Sequence, residues 1–145
     1  MTDTGTSHST APLVREVIVR AGVETAFRLF TDRIGEWWPL ATHSVFGEHA
    51  TVAFEDGRLV ERAGATSTTW GEVLAWDPPQ GFRITWHPGH AADEATEVAV
   101  AFTEQDGETL VRLTHTGWER RARADVRASY ASGWLLVLER YAGAV

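Results

Sequence analysis

The chain contains no cysteine, so no disulfide can staple it and no thiolate can serve as nucleophile or metal ligand. Cationic side chains are in the minority: 13 Lys and Arg stand against 20 Asp and Glu, a formal net charge of −7. Nucleic acid is bound mainly through cations that neutralise phosphates, and anionic membrane surfaces attract the same residues. Neither partner is expected here. No apolar run approaches the ~20 residues of a membrane span. The opening "MTDTGTSHSTAP" lacks the basic start and apolar stretch of a secretory signal, and its Thr, Ser and Gly content predicts a flexible tail over residues 1–11. Glycine-rich phosphate loops and the Gly-x-Ser-x-Gly elbow are also missing. These absences predict a cytoplasmic protein without a bound cofactor.

Metal binding is not expected either. His87 and His90 in "HPGH" are spaced like a ligand pair, but Pro-Gly between them reads as a turn, and third and fourth ligands are lacking. His43 and His49, flanking "SVFGE", make no better set. What the chain does have is aromatic bulk, with 7 Trp and 6 Phe in 145 residues. A chain of this length forms one domain with a substantial core, here expected over residues 12–145.

Its periodicity changes along the chain. "LVREVIVRA" from Leu13 is rich in Val and Ile and reads as a strand. Val23, Phe27 and Phe30 then fall on one helical face, and "RIGEWWPL" adds a further helical turn stopped by Pro39. Six strand candidates follow. They are punctuated by Asp56-Gly57, by Asp77-Pro-Pro-Gln-Gly81 and by Asp106-Gly107, which predicts an antiparallel meander. From Trp118 to about Ala142 the pattern returns to a helix. Val126, Tyr130, Trp134, Val137 and Tyr141 form its apolar stripe, and Arg120, Arg121, Arg123 and Arg127 keep the other side of its start in solvent. Gly133 interrupts the stripe at a cost of ~1 kcal/mol against alanine, which predicts either a close backbone approach or a need for room beside it. The plan is α+β: a largely antiparallel sheet whose apolar face only the long helix can cover.

Strand alternation assigns the covered face. Phe82, Ile84 and Trp86 share it, as do Val98, Val100 and Phe102, and Val111, Leu113 and His115. Trp70 and Trp76 are in phase with each other, with either face open to them if their strand carries a bulge.

The ordered set "AFRLFTDRIGEWWP", "WGEVLAWDPPQGFRITW", "TEVAVAFTEQDGETLVRLTHTGW" and "GWLLVL" resembles the helix-grip (START-like, SRPBCC) superfamily. Within it the likeness is to the activator of heat-shock-protein-90 ATPase homologue family, and to the branch that includes the calicheamicin self-resistance proteins. The resemblance implies a curved seven-stranded sheet gripping the C-terminal helix, two short helices after the first strand, and a cavity between sheet and helix for a lipid, polyketide or other apolar molecule. Ligand-binding candidates are then Trp37 and Trp38 of the second short helix, and Phe54 and Glu61 of the first hairpin. From the later strands come Phe82, Ile84, Trp86, Val100, Phe102, Val111, Leu113 and His115, and from the helix Tyr130, Trp134 and Val137. The expected function is binding of a small hydrophobic or aromatic molecule without catalysis, by a monomer or weak homodimer. One alternative is a cyclase, aromatase or hydrolase using His115 as acid or base, near neutral pH the natural residue for it. A second, implied by the family's name alone, is a chaperone-regulating module.

Overall fold

The structure is a computed structural model that describes residues 11–118 and 124–145. The rest of the expected tail, and Arg120, Arg121 and Arg123, lie outside the described residues. Strand β1 (Leu13–Val19) leads into helix α1 (Val23–Thr31) and the single turn α2 (Ile34–Trp37). Strands β2 (Thr51–Glu55), β3 (Arg58–Ala63), β4 (Thr66–Asp77), β5 (Gly81–Trp86), β6 (Thr96–Gln105) and β7 (Glu108–Thr116) follow, and helix α3 (Ala124–Gly143) ends the chain. The sheet has seven strands in the order β1-β7-β6-β5-β4-β3-β2, antiparallel at every pairing. This is the α+β helix-grip architecture expected from the sequence. Among the described residues no helix is long and apolar enough to cross a membrane.

Local chemistry explains the path. Asp56 and Gly57 both have positive φ, as do Asp106 and Gly107, the backbone a two-residue hairpin needs at both central positions. Strand β4 is less regular. Its register against β3 shifts beside Trp70, and its register against β5 shifts between Val73 and Ala75. Each shift costs the alternation one residue, so two restore it. Trp70 and Trp76 consequently both turn to the helix side, Trp70 against Trp38 at 5.2 Å between ring centroids and Trp76 against Phe27 at 5.5 Å. Gly71 makes the first shift sterically feasible: a Cβ there would lie 1.7 Å from the Thr85 carbonyl oxygen.

Helix α3 crosses the sheet with Trp134, Val137, Leu138 and Tyr141 buried. The Tyr141 hydroxyl donates to the Ala26 carbonyl at 2.7 Å, and burial pushes its pKa far above the ordinary phenol value. From the half-exposed start of the helix, Arg127 Nε donates to Ala11 O at 2.7 Å, and Arg15 Nε donates to Ala131 O at 3.1 Å. The helix is thereby tied to β1 through Arg15 and to the residues just before β1 through Arg127.

The space between the layers is divided unequally. Phe27 and Phe30 of α1 reach down onto Phe102 and Phe82, and Trp37 packs on Phe30 and Tyr141 at 5.1 and 5.2 Å. These rings fill the end of the grip under α1 and α2. Near the middle, a void of only about 10 Å³ remains among residues that include Phe54, Phe82, Ile84, Val100 and Leu113. The open space lies at the other end.

Candidate functional site

That space is a cavity of about 550 Å³, within the usual range for small-molecule sites. Its walls come from three sources. Trp70 and Trp86 rise from β4 and β5. Val126, Ser129, Tyr130, Gly133, Trp134 and Val137 come from α3 at helical spacing. Trp38 and the loop Thr42–Val45 close over one side, with Pro88 and Gly89 at the rim. Tryptophans 38, 70, 86 and 134 pack on one another with centroid separations of 5.1 to 6.0 Å. The lining thus mixes the edges of largely buried indoles with Val and Pro carbon and with the hydroxyls of Thr42, Ser44, Ser129 and Tyr130, a surface that suits a flat guest with an apolar body and a few polar groups.

The indole N–H groups are engaged in holding the walls. Trp86 Nε1 donates to the Tyr130 hydroxyl at 3.1 Å, joining sheet to helix. Trp38 Nε1 donates to the His43 carbonyl at 2.7 Å. Trp70 Nε1 donates to Glu61 at 3.0 Å. The Glu61 carboxylate, fully buried, also accepts from the backbone N–H of Val45 and of Phe46, each at 2.8 Å. A side chain that can only accept therefore meets three donors. It pins the loop over the cavity to the sheet that forms the cavity floor.

His115 is the corresponding hub on the other side. Trp134 Nε1 is a donor only, so His115 Nδ1 accepts from it at 3.0 Å. The ring proton then sits on Nε2 and faces Thr96 Oγ1 at 2.6 Å, leaving that hydroxyl to donate to Trp86 O at 3.2 Å. Both nitrogens are occupied, and the ring lies 4.1 Å from Trp118 and 4.9 Å from Tyr130 between centroids. His115 is fully buried and does not line the cavity.

Of the residues expected to meet a ligand, Trp38, Trp86, Tyr130, Trp134 and Val137 line the cavity. Phe54, Phe82, Ile84, Val100 and Leu113 border the small central void, while Trp37, Phe102 and Val111 sit in the packed core. Glu61 and His115 stand behind the wall, bonded to residues that form it. Sequence reasoning missed His43, Thr42 and the Pro88-Gly89 rim. It weighed His43 only as a metal ligand; the signal available was its place just after "WWP", in a loop attached to the expected cavity helix. Among the described residues no group of three or more His, Asp or Glu is gathered to hold a metal.

The family model described as activator of Hsp90 ATPase homolog 1-like protein matches residues 20–143. The chain belongs to that family. Among solved structures of this Hsp90-ATPase-activator-like family and its neighbours, similarity extends to Txn09, an anthrahydroquino-gama-pyrone synthase complexed with SUM. It is 30% identical over 92% of this chain and 96% of that one, with a TM-score of 0.61. The Aha1 dimer from Colwellia psychrerythraea is 17% identical, covering 92% and 95%, with a TM-score of 0.67. CalU16 from Micromonospora echinospora is 18% identical, covering 93% and 78%, with a TM-score of 0.60. At such identities the last two speak to the fold alone. No curated protein matches the chain.

Proposed function

We propose that this protein binds a planar aromatic molecule of polyketide type in the cavity between α3, the β4–β5 floor and the Thr42–Val45 loop. The observation that carries this reading is the cavity itself: about 550 Å³ of open space beside the packed indoles of Trp38, Trp70, Trp86 and Trp134, with Tyr130, Val126 and Val137 on the helix wall. A flat ring system gains from stacking and edge contacts with such walls, and apolar burial contributes about 25 cal/mol per Å². Gly133 belongs to this design, because a larger side chain there would project into the cavity from the middle of the helix wall.

Titration with flavone and with 1-hydroxyanthraquinone tests the reading. Saturable quenching of tryptophan emission is expected, and Gly133→Leu should abolish it while near-ultraviolet circular dichroism stays native. A wild-type protein whose emission responds to neither compound overturns it.

A second reading, that the bound molecule undergoes ring closure, draws support from the 30% identity to a protein described as a pyrone synthase. It requires an acid–base group at the cavity.

A further inference from the structure

We infer that His43 is the acid–base residue of this cavity, and that the chemistry it fits is dehydrative closure of an ortho-hydroxyaryl 1,3-diketone to a γ-pyrone. The inference rests on the cavity reading above and adds a reaction and a residue to it.

Among the residues lining the cavity, only His43 and Tyr130 titrate, and of these only imidazole exchanges protons readily near neutrality. The His43 main chain is fixed on both sides: its N–H donates to Pro39 O at 2.9 Å and its carbonyl accepts from Trp38 Nε1 at 2.7 Å. The ring is anchored at one nitrogen, with Nδ1 2.7 Å from Thr42 Oγ1. The other nitrogen faces α3 where the helix has no side chain: Nε2 lies 3.5 Å from the point a Cβ on Gly133 would occupy. Among the described residues Nε2 has no hydrogen-bond partner. A hydroxyl beside Nδ1 can either donate or accept. It can therefore support Nε2 as a proton carrier in one half of a reaction and as a proton acceptor in the other. His115 differs on each count, being enclosed and bonded at both nitrogens.

The chemistry balances without a redox partner. Nε2 takes the phenol proton as the phenol oxygen bonds to the distal carbonyl carbon. The π pair of that carbonyl moves to its oxygen, which takes the proton from Nε2 and becomes a hydroxyl. Nε2 then accepts a proton from the carbon between the retained aryl ketone, which acidifies it, and the new hemiketal carbon, and delivers that proton to the departing hydroxyl. Water leaves, the ring double bond forms, and the histidine returns to its starting state.

The probe is 1-(2-hydroxyphenyl)-3-phenylpropane-1,3-dione, whose closure gives flavone and water. Wild-type protein should accelerate flavone formation above the buffer rate. His43→Gln should lower that acceleration by about 100-fold or more, the usual contribution of a positioned acid–base group, while flavone quenching stays within about threefold of wild type. In His43→Ala, added imidazole should restore part of the rate, which a merely structural residue would not allow. Thr42→Val should give an intermediate loss. Flavone binding without turnover by wild-type protein, or full turnover by a folded His43→Gln variant, overturns the assignment and leaves the cavity reading intact. Failure of wild-type protein to bind flavone or 1-hydroxyanthraquinone overturns the cavity reading itself.

Discussion

Glu61 holds Trp70: the buried carboxylate accepts the indole N–H at 3.0 Å, and in the same grasp takes the backbone N–H groups of Val45 and Phe46 at 2.8 Å. A cavity-floor residue and the cavity's covering loop are thereby fixed to one side chain of β3. Glu61→Ala would strand three donors, and an unsatisfied buried polar group costs about 1–3 kcal/mol. Partial hydration through the loosened loop limits the total, so a loss of about 3 kcal/mol in chemical denaturation is expected. Hydrogen exchange should show the Val45 and Phe46 amides losing protection before the rest of the sheet.

His115 acts on the opposite wall through Trp134 and Thr96. Replacement by Phe keeps the ring but removes both acceptor and donor, leaving the Trp134 N–H unsatisfied. Destabilisation of about 1–3 kcal/mol is expected, with altered near-ultraviolet circular dichroism from the disturbed indole. His115→Phe that retains wild-type stability would show that the chain from Trp134 to Trp86 contributes nothing.

Two glycines should respond oppositely. A methyl at Gly71 runs into the Thr85 carbonyl, so Gly71→Ala must displace β4 from β5. The expected cost is about 1–3 kcal/mol. At Gly133 a methyl meets only His43, at an ordinary contact distance of 3.5 Å. Gly133→Ala should therefore stabilise the helix by up to about 1 kcal/mol, at some expense in cavity space. Thermal denaturation of the two variants separates the cases by sign.

Tyr141 sets an alkaline limit. Burial raises its folded-state pKa above the unfolded value of about 10, so the folded state keeps the proton that the unfolded state has released. The associated stability is fully present below pH ~10 and falls as pH rises beyond it. Spectrophotometric titration should find that Tyr141 ionises only as the protein unfolds. Tyr141→Phe should flatten this alkaline decline while costing about 1 kcal/mol at neutral pH, through loss of the hydrogen bond to Ala26.

The fold was legible because its signals are local. Asp-Gly pairs at 56–57 and 106–107 mark hairpins by their backbone demands, and the steps between Val126 and Tyr141 mark one helical face. Strand alternation gives the facing of Trp86 and helical spacing that of Trp134, and the two rings meet at 5.1 Å. Neither could place the emptiness. Phe82, Ile84, Val100 and Leu113 point inward as alternation requires, yet whether inward-facing side chains meet a solid or a hollow depends on what descends from the other layer. Under α1 and α2, Phe27, Phe30 and Trp37 fill the gap; under the Thr42–Val45 loop a cavity of about 550 Å³ remains among the described residues. Glu61 shows the same limit. Its inward phase could be read from Leu59, but its three donors come from 9 to 16 residues away along the chain, and only the folded loop brings them together. His43 lies in a segment with no period, where its direction is set by Pro39, Trp38 and Thr42 rather than by any repeat.

A crystal structure grown with flavone, refined without reference to any expected pose, addresses the central claim most directly. The account predicts a flat ring system between the Gly133 face of α3 and the indoles of Trp70 and Trp86, within reach of His43 Nε2. Density for the compound elsewhere on the protein, with the Trp38–Trp134 cavity collapsed by its own side chains, would contradict it.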